Sequence, residues 1–275
     1  MMLRTHGIEL KTPAQIAKMR VAGLVVAQTL EKLRAAVAPG VTTGDLDALA
    51  AEHIDGCGAE PSFKGYRGFP ATICTSVNDQ VVHGIPGSLE LREGDVISID
   101  CGSIVDGWHG DAAISVAVGE VPPEVTEMMR VCEESLWRGL AAAGLGGRVS
   151  DISFAVESYV RSQGRYGIVE DYVGHGIGSQ MHQPPNVPNF GRPGKGPKLV
   201  KGLALAVEPM VTLGTKQTTV LRDDWTVVTT DGSWSAHFEH SFTLTDDGAW
   251  VLTALDGGRA RLSELDVPCA EPEPA

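Results

Sequence analysis

The sequence is poor in the groups that would tie a protein to nucleic acid, to a membrane or to an oxidising compartment. Against 35 Asp and Glu it carries only 22 Lys and Arg, a net charge of −13. Neutralising phosphates needs clustered cations, so no direct nucleic-acid binding and no anionic-membrane attachment is expected. No stretch approaches the ~20 apolar residues of a spanning helix. The opening residues, MMLRTHGIELK, lack the apolar run of a signal peptide. Five cysteines (Cys57, Cys74, Cys101, Cys132 and Cys269) are scattered, odd in number and without a CxxC pair. That set argues against a disulfide scaffold and a zinc knuckle and makes a reduced cytoplasm the simplest location. A GxSxG nucleophile elbow is missing, and GRPGKGPK lacks the spacing and hydroxyl of a phosphate loop. A Cys101 nucleophile would have acidic neighbours, which raise a thiol pKa rather than lower it.

What remains is a globular composition, 43% apolar and 21% charged over 275 residues, with regular punctuation. Residues 1–11 form a short extended arm. Thr12-Pro13-Ala14-Gln15 has the signature of a capped helix start, and Pro39-Gly40 stops that helix. Thr42-Thr43-Gly44-Asp45 opens a second helix, to about Gly56. Strand-like segments follow at 71–83, 95–101, 103–108 and 111–118. Pro122-Pro123 opens a third helix and Ser150 caps a fourth, ending near Gly164. Strands return at 169–177, 203–211, 225–230, 236–245 and 249–253. The order repeats, so one α+β domain over 12–253 is expected, built from similar halves at about 12–118 and 122–253. The Pro- and Gly-rich 183–197 segment is expected to be a long irregular loop, and 254–275 a disordered tail.

Several polar residues sit where strands should not hold them. Asp100 ends the apolar run ISID, and Asp is costly to bury unpaired. Asp111 follows eleven positions later, a span that lets one hairpin bring both carboxylates to one end. Taken singly, each fits an ordinary turn residue. His175 lies between two glycines in GHGIG, which lets backbone and imidazole approach a ligand closely. A dinucleotide loop would need a long helix after it, and Pro184-Pro185 forbids one. His182, seven residues on, suits a substrate-side acid or hydrogen-bond donor. Glu208 ends the apolar run LALAV before Pro209. Glu239 shares a strand face with His237 and Ser241. Asp100, Asp111, Glu208 and Glu239 together carry four negative charges; clustered without cations, at least one would protonate. Two divalent ions would balance them. Oxygen ligands with an imidazole suit such ions. Two metals about 3.5–4 Å apart can share a water and polarise a carbonyl.

The segments KMRVAG, APGVTT, VNDQVVHGIP, ISIDCG, HGDAA, GHGIG, VEPM, WTVVTTDG and FEHS, in that order, resemble the type I methionine aminopeptidase family over about residues 9–253. The resemblance implies the pita-bread fold, an α+β arrangement of two pseudo-symmetric halves around a dinuclear centre. It implies Asp100, Asp111, His175, Glu208 and Glu239 as metal ligands, with Asp111 and Glu239 bridging. The ions would be Mn, Fe(II), Co or Zn. His83 and His182 would contact substrate and stabilise the intermediate, and Glu208 would also shuttle protons. A methionine pocket would form from Tyr66, Phe69, Cys74, Met181 and Trp225. Met181 stands where the family often has Phe, and the 183–197 loop departs from the family's versions.

The implied activity is removal of initiator Met from nascent chains whose second residue is small and uncharged. The expected enzyme is a cytoplasmic monomer acting near the ribosome. Two rivals stand beside it. A non-catalytic pita-bread binding protein would be expected to lack metal ligands, and all five are present. An X-Pro aminopeptidase or dipeptidase usually carries an extra N-terminal domain, and this sequence starts at the catalytic unit.

Overall fold

Two capping boxes fix where the first helices begin. In α1 (Pro13–Ala36) the Thr12 hydroxyl accepts from the Gln15 N–H, and the Gln15 side chain accepts from the Thr12 N–H. Thr42 and Asp45 repeat the device at α2 (Thr43–Gly56). α3 (Pro123–Ala141) starts on its prolines. α4 (Val149–Gln163) differs from expectation: Asp151, not Ser150, closes its first turn by accepting from the Arg148 N–H. Ser150 instead accepts from the Lys195 N–H, tying down the 183–197 segment. The computed structural model describes residues 7–246 and 248–269.

A nine-stranded antiparallel sheet forms the scaffold. Its path runs Glu60–Pro61, Val96–Val105, Trp108–Ala117, Glu239–Thr245, Ala204–Val207, Gly174–Gly176, Gln183–Val187. Ile73–Val77 also pairs with Val96–Val105, and Gly248–Val251 with Glu239–Thr245. α1 packs against α2 and on the hairpin Val96–Val105/Trp108–Ala117, and α3 packs against α4 and beside Ala204–Val207 and Glu239–Thr245. Buried Val, Ile and Leu from all four helices and the sheet make the main core.

Three strand expectations need correction. Residues 95–108 form one strand, Val96–Val105, with the turn at Asp106-Gly107 rather than near Gly102. Asp100 and Asp111 therefore lie in mid-strand, not at a hairpin end: Asp100 pairs with Ala113, and Asp111 with Gly102. The 203–211 run breaks at Glu208-Pro209, because Pro209 has no N–H to continue the ladder. The 236–245 run breaks at Phe238. Both chains leave the large sheet at these breaks and pair again as Met210–Thr212 with Ser235–His237 in a small sheet. The Cys132 thiol on α3 reaches both breaks, 3.2 Å from the Pro209 carbonyl and 3.3 Å from that of Ala236.

The 183–197 segment is not wholly irregular. Gln183–Val187 is a strand that pairs only with Gly174–Gly176, and such an edge position tolerates Pro184 and Pro185. The expected disorder of 254–275 does not hold over 254–269. There α5 (Arg259–Glu264) buries Leu262, and Arg261 pairs with Glu134 of α3 at 2.7 Å. Residues 270–275, and 1–6 of the arm, lie outside the described residues.

α1 crosses the long hairpin and the chain after Gly248–Val251 at close range. A Cβ built on Gly23 would lie 2.2 Å from the Leu252 carbonyl oxygen, and one on Gly110 would lie 2.7 Å from the Gly23 nitrogen. Gly23→Ala must push the helix off the sheet despite Ala's better helix propensity. Overpacking of this kind costs about 1–3 kcal/mol. Denaturant unfolding of Gly23→Ala should show a loss in that range; unchanged stability would contradict the close packing.

Candidate metal centre and active site

One row of cross-strand neighbours builds the floor of the site. Cys74 pairs with Asp100, Asp100 with Ala113, and Ala113 with Glu239. Side chains opposite one another share a face, so this row points one way. Asp111 is on the same face two residues from Ala113. Glu208 follows Val207, the partner of His240, so continuing that register sets Glu208 opposite Glu239. His175 comes from Gly174–Gly176, on the other side of Ala204–Val207. Further bonds fix these strands: Ser241 Oγ donates to the Asp111 carbonyl at 2.7 Å, and Asn189 donates to that of Glu208 at 3.0 Å.

The structure brings all five expected ligands together. His175 Nε2 lies 3.6 Å from Glu208 Oε1, 3.9 Å from Asp111 Oδ2 and 4.0 Å from Glu239 Oε1. Donor atoms of Asp111, His175 and Glu239 all fall within 4.8 Å of one another, as do those of Glu208, His237 and Glu239. Asp100 belongs to neither trio but shares a hydrogen bond with the Asp111 side chain. His237 was not among the expected ligands. Its Nε2 lies 3.8 Å from Glu208 Oε2 and 4.0 Å from Glu239 Oε2. The alternation His237, Glu239, Ser241 was the only sequence signal for it.

The charges in this cluster are not balanced by protein groups. Burial raises Asp100 to about 7. Burial and the charge of Asp100 raise Glu208 to about 8. Burial and the neighbouring carboxylates push Asp111 and Glu239 well above the usual range. Asp100 Oδ1, Asp111 Oδ1, Glu239 Oε1 and His237 Nε2 are buried without a hydrogen-bond partner. Groups in that condition cost free energy unless something else satisfies them.

His175 shows what is missing. Its Nδ1 meets the Gly176 carbonyl oxygen at 3.0 Å, so Nδ1 carries the hydrogen and donates. Burial holds the imidazole neutral by driving its pKa down to about 3. Nε2 thus turns a lone pair toward three carboxylates at distances just beyond hydrogen bonding. Lone pairs converging in this way suit a cation between them, and a carbonyl on the far ring nitrogen is the usual support of a ligating histidine. The donor set, oxygen-rich with one or two imidazoles, fits hard or borderline divalent ions.

Above the floor lies a cavity of about 520 Å³. One wall is the apolar cluster of Phe63, Phe69, Ala71, Cys74 and Met181, with Tyr66 and Trp225 packed against it. All five expected pocket residues are there; Phe63 was missed, because nothing in FKGYRGF distinguishes a wall residue from a loop aromatic. The Phe69 and Trp225 rings meet edge to face at 5.1 Å. Cys74 is no nucleophile: burial, then Asp100, raises its thiol well above the ordinary value. His83 and His182 also line the cavity. His83 is held at φ 61, a left-handed conformation rare outside glycine, and its ring packs edge-on to Tyr172. The His182 ring sits 4.3 Å from that of His175, and its Nδ1 is 2.9 Å from the Tyr66 hydroxyl. Partial burial and then the Arg67 charge push His182 down to about 4, so it is neutral at physiological pH.

A sequence profile of metallopeptidase family M24 matches residues 17–246. The chain belongs to this family. It is 52% identical over 250 residues to a methionine aminopeptidase of Clostridium acetobutylicum, covering 90% of this chain and all of the relative. It is 50% identical to methionine aminopeptidase 1 of Mycobacterium tuberculosis, covering 88% of this chain and 94% of that one. The crystal structure of methionine aminopeptidase from Thermotoga maritima superposes with a TM-score of 0.88 at 42% identity, over 90% of this chain and 99% of that chain. The pita-bread fold expected from the sequence is therefore present. Prolidase from Pyrococcus furiosus matches with a TM-score of 0.71 at 19% identity, and this chain covers 65% of it; that likeness concerns the fold alone.

The cluster binds divalent metal, and its metal-free form should show the linkage to pH. Asp100 and Glu208 are raised to about 7 and about 8, so the metal-free cluster retains protons at pH 7. A ligating carboxylate must give its proton up. Metal binding should therefore release protons at pH 7, and apparent affinity should climb as pH rises through about 6–8 and then level off. Calorimetry in buffers of different ionisation enthalpy measures the release. Proton uptake, or affinity falling over that range, would contradict the assignment.

Proposed function

We propose that the chain removes N-terminal methionine from nascent polypeptides whose second residue is small and uncharged, using two divalent ions held by Asp100, Asp111, His175, Glu208 and Glu239. The observation that carries this is the coexistence, in one cavity, of an uncompensated carboxylate cluster and an apolar wall beside it. Asp111 and Glu239, on adjacent strands at the centre of the sheet, would be the carboxylates that both ions share. When bound, such ions polarise the scissile carbonyl and make a water nucleophilic near neutral pH. Their identity, among Mn, Fe(II), Co and Zn, follows from availability as much as from the donor set.

The chain's own residues do the rest. Phe63, Tyr66, Phe69, Cys74, Met181 and Trp225 enclose the methionine side chain, a burial worth about 1.5–3 kcal/mol. The substrate's free amine enters among carboxylates, which favours a cationic or metal-seeking group there. Tyr66 donates its hydroxyl hydrogen to His182 Nδ1, which leaves the His182 Nε2–H to donate to the carbonyl oxygen as negative charge develops. One such donor is worth about 10²–10³ in rate. His83, neutral with its pKa near 4 through burial and the nearby His182, offers a second polar contact to the substrate backbone. The Glu208 carboxylate accepts a proton from the attacking water and returns it to the leaving amine. The next side chain meets the site's polar floor rather than an apolar wall, so it must be small.

Cys57, Cys74, Cys101 and Cys132 are free thiols, and no helix among the described residues is long and apolar enough to cross a membrane. Both fit a reducing cytoplasm, where we place the chain as a monomer acting beside the ribosome. A binding protein without catalysis would have no use for a complete donor set. An X-Pro peptidase is disfavoured by the pocket, whose sulfur and aromatic lining suits an unbranched thioether.

A peptide series tests this reading. Met-Gly, Met-Ala and Met-Ser peptides should be cleaved, whereas Met-Lys, Met-Phe and Ala-Pro peptides should not. Replacing Met by Leu should slow cleavage strongly, since such a change is worth about 1–3 kcal/mol in an apolar pocket. Phe69→Ala should erode the preference for Met and leave the second-residue rule intact. Equal trimming of Ala, Leu and Met by the unaltered enzyme would overturn the specificity.

A further inference from the structure

The arm before α1 carries a buried ammonium. The Lys11 side chain is only 1% exposed, yet no chemistry of the cavity uses it. Its Nζ donates to the Glu9 carbonyl at 3.0 Å and to Gln183 Oε1 at 3.3 Å, and pairs with Glu9 Oε2 at 3.5 Å. Glu9 in turn accepts from the Ser179 N–H at 3.1 Å, the Ser179 hydroxyl at 2.8 Å and Gln183 Nε2 at 2.9 Å. The Lys11 N–H donates to the Gly202 carbonyl, anchoring the arm to the turn that precedes Ala204–Val207.

These contacts converge on one short connection. Residues 177–182 link Gly174–Gly176 to Gln183–Val187, and Glu9 grips Ser179 near the connection's start and Gln183 at its exit. Between those grips lie Met181, 3% exposed in the pocket wall, and His182. The arm rests directly on the connection's backbone: a Cβ on Gly178 would meet Lys11 Cε at 2.3 Å and Glu9 Oε2 at 2.4 Å. The Gly178 carbonyl also accepts from the His109 N–H of the long hairpin. The loop is thus held from below by the sheet and from outside by the arm. A buried ion pair is a weak source of stability, since an apolar pair of similar size often does as well or better. What it does supply is directional: two charged groups, seven polar contacts and one allowed placement of the loop.

We propose that Lys11 and Glu9 are positioning residues for the reaction, a strap that fixes the 177–182 connection so that His182 meets the scissile carbonyl and Met181 closes the methionine pocket. This rests on the role given to His182 above. The strap touches neither substrate nor metal donors, so its removal should leave metal content unchanged. A misplacement of about 1 Å at a reacting group can cost about a hundredfold. Lys11→Met, which keeps the stem and removes the charge, should therefore lower kcat about ten- to a hundredfold, with a smaller rise in KM from the loosened Met181.

A double-mutant cycle with His182→Ala, on full-length metal-loaded enzyme, separates positioning from general stability. His182→Ala alone must first lower kcat; a normal kcat there would overturn the role of His182 and with it the strap. Given that loss, Lys11→Met on the His182→Ala background should change kcat less than about twofold, because the group it positions is gone. Equal fold losses on both backgrounds, or no loss on the unaltered one, would refute the strap while leaving His182 in place. Glu9→Gln, at a partly exposed position, repeats the cycle if Lys11→Met does not fold. Loss of metal in the Glu9 variant would also refute the proposal.

Discussion

Four carboxylates press against one another on the floor of the cavity, largely withdrawn from bulk water, and much of the architecture exists to hold them there. Asp111, Glu208 and Glu239 are buried, and Asp100 Oδ1 is sealed from solvent. No lysine or arginine lines the metal floor; the one cation on the cavity wall, among the described residues, is Arg67 at the mouth. In a low-dielectric site such a cluster must either protonate or take up cations. Both halves of the chain contribute to it, so the two halves are joined by whatever settles that charge.

Strand geometry delivers the charges to one place. Asp100 and Asp111 are diagonal neighbours in a regular hairpin, so ordinary pleat alternation aligns them. Glu208 and Glu239 stand where their strands leave the large sheet. Pro209 and Phe238 mark those exits, and the Cys132 thiol lies against the carbonyls of Pro209 and Ala236 beside them. A strand that switches sheets re-aims its next side chain, which is how two glutamates come to face the cavity with His175 while His237 lies against both of them. Interrupted ladders cost hydrogen bonds, and they are tolerated where the interruption places a functional group.

The elements with strong local signals were legible in the sequence, and those set by distant partners were not. Thr12-Pro13 and Thr42 announce helix starts through their own side chains. Asp100, Asp111, His175, Glu208 and Glu239 stood out because strand interiors seldom hold them. Their order, not any single residue, matched a known family. The hairpin turn at Asp106-Gly107 was missed because Gly102 offered a competing break. The strand at Gln183–Val187 was missed because its prolines are allowed only at a sheet edge, and edge status is a property of the whole topology. α5 was hidden in an acidic, proline-containing tail, where Leu262 is buried and Arg261 reaches Glu134 and the Trp137 ring of α3. His237 left only the strand alternation it shares with Glu239 and Ser241, and the place of Phe63 in the wall came from loop folding, which leaves no periodic trace. Lys11 gave no signal at all, since a lysine in a polar arm is expected to face solvent.

The chemistry depends on divalent ions completing the carboxylate cluster. Its most direct test is turnover of a Met-Ala-Ser peptide by chelator-stripped protein as Mn(II) or Co(II) is added back by known equivalents per chain. The stripped enzyme should be inactive, and activity should rise with added metal and saturate near two equivalents. Full activity in excess chelator would contradict it.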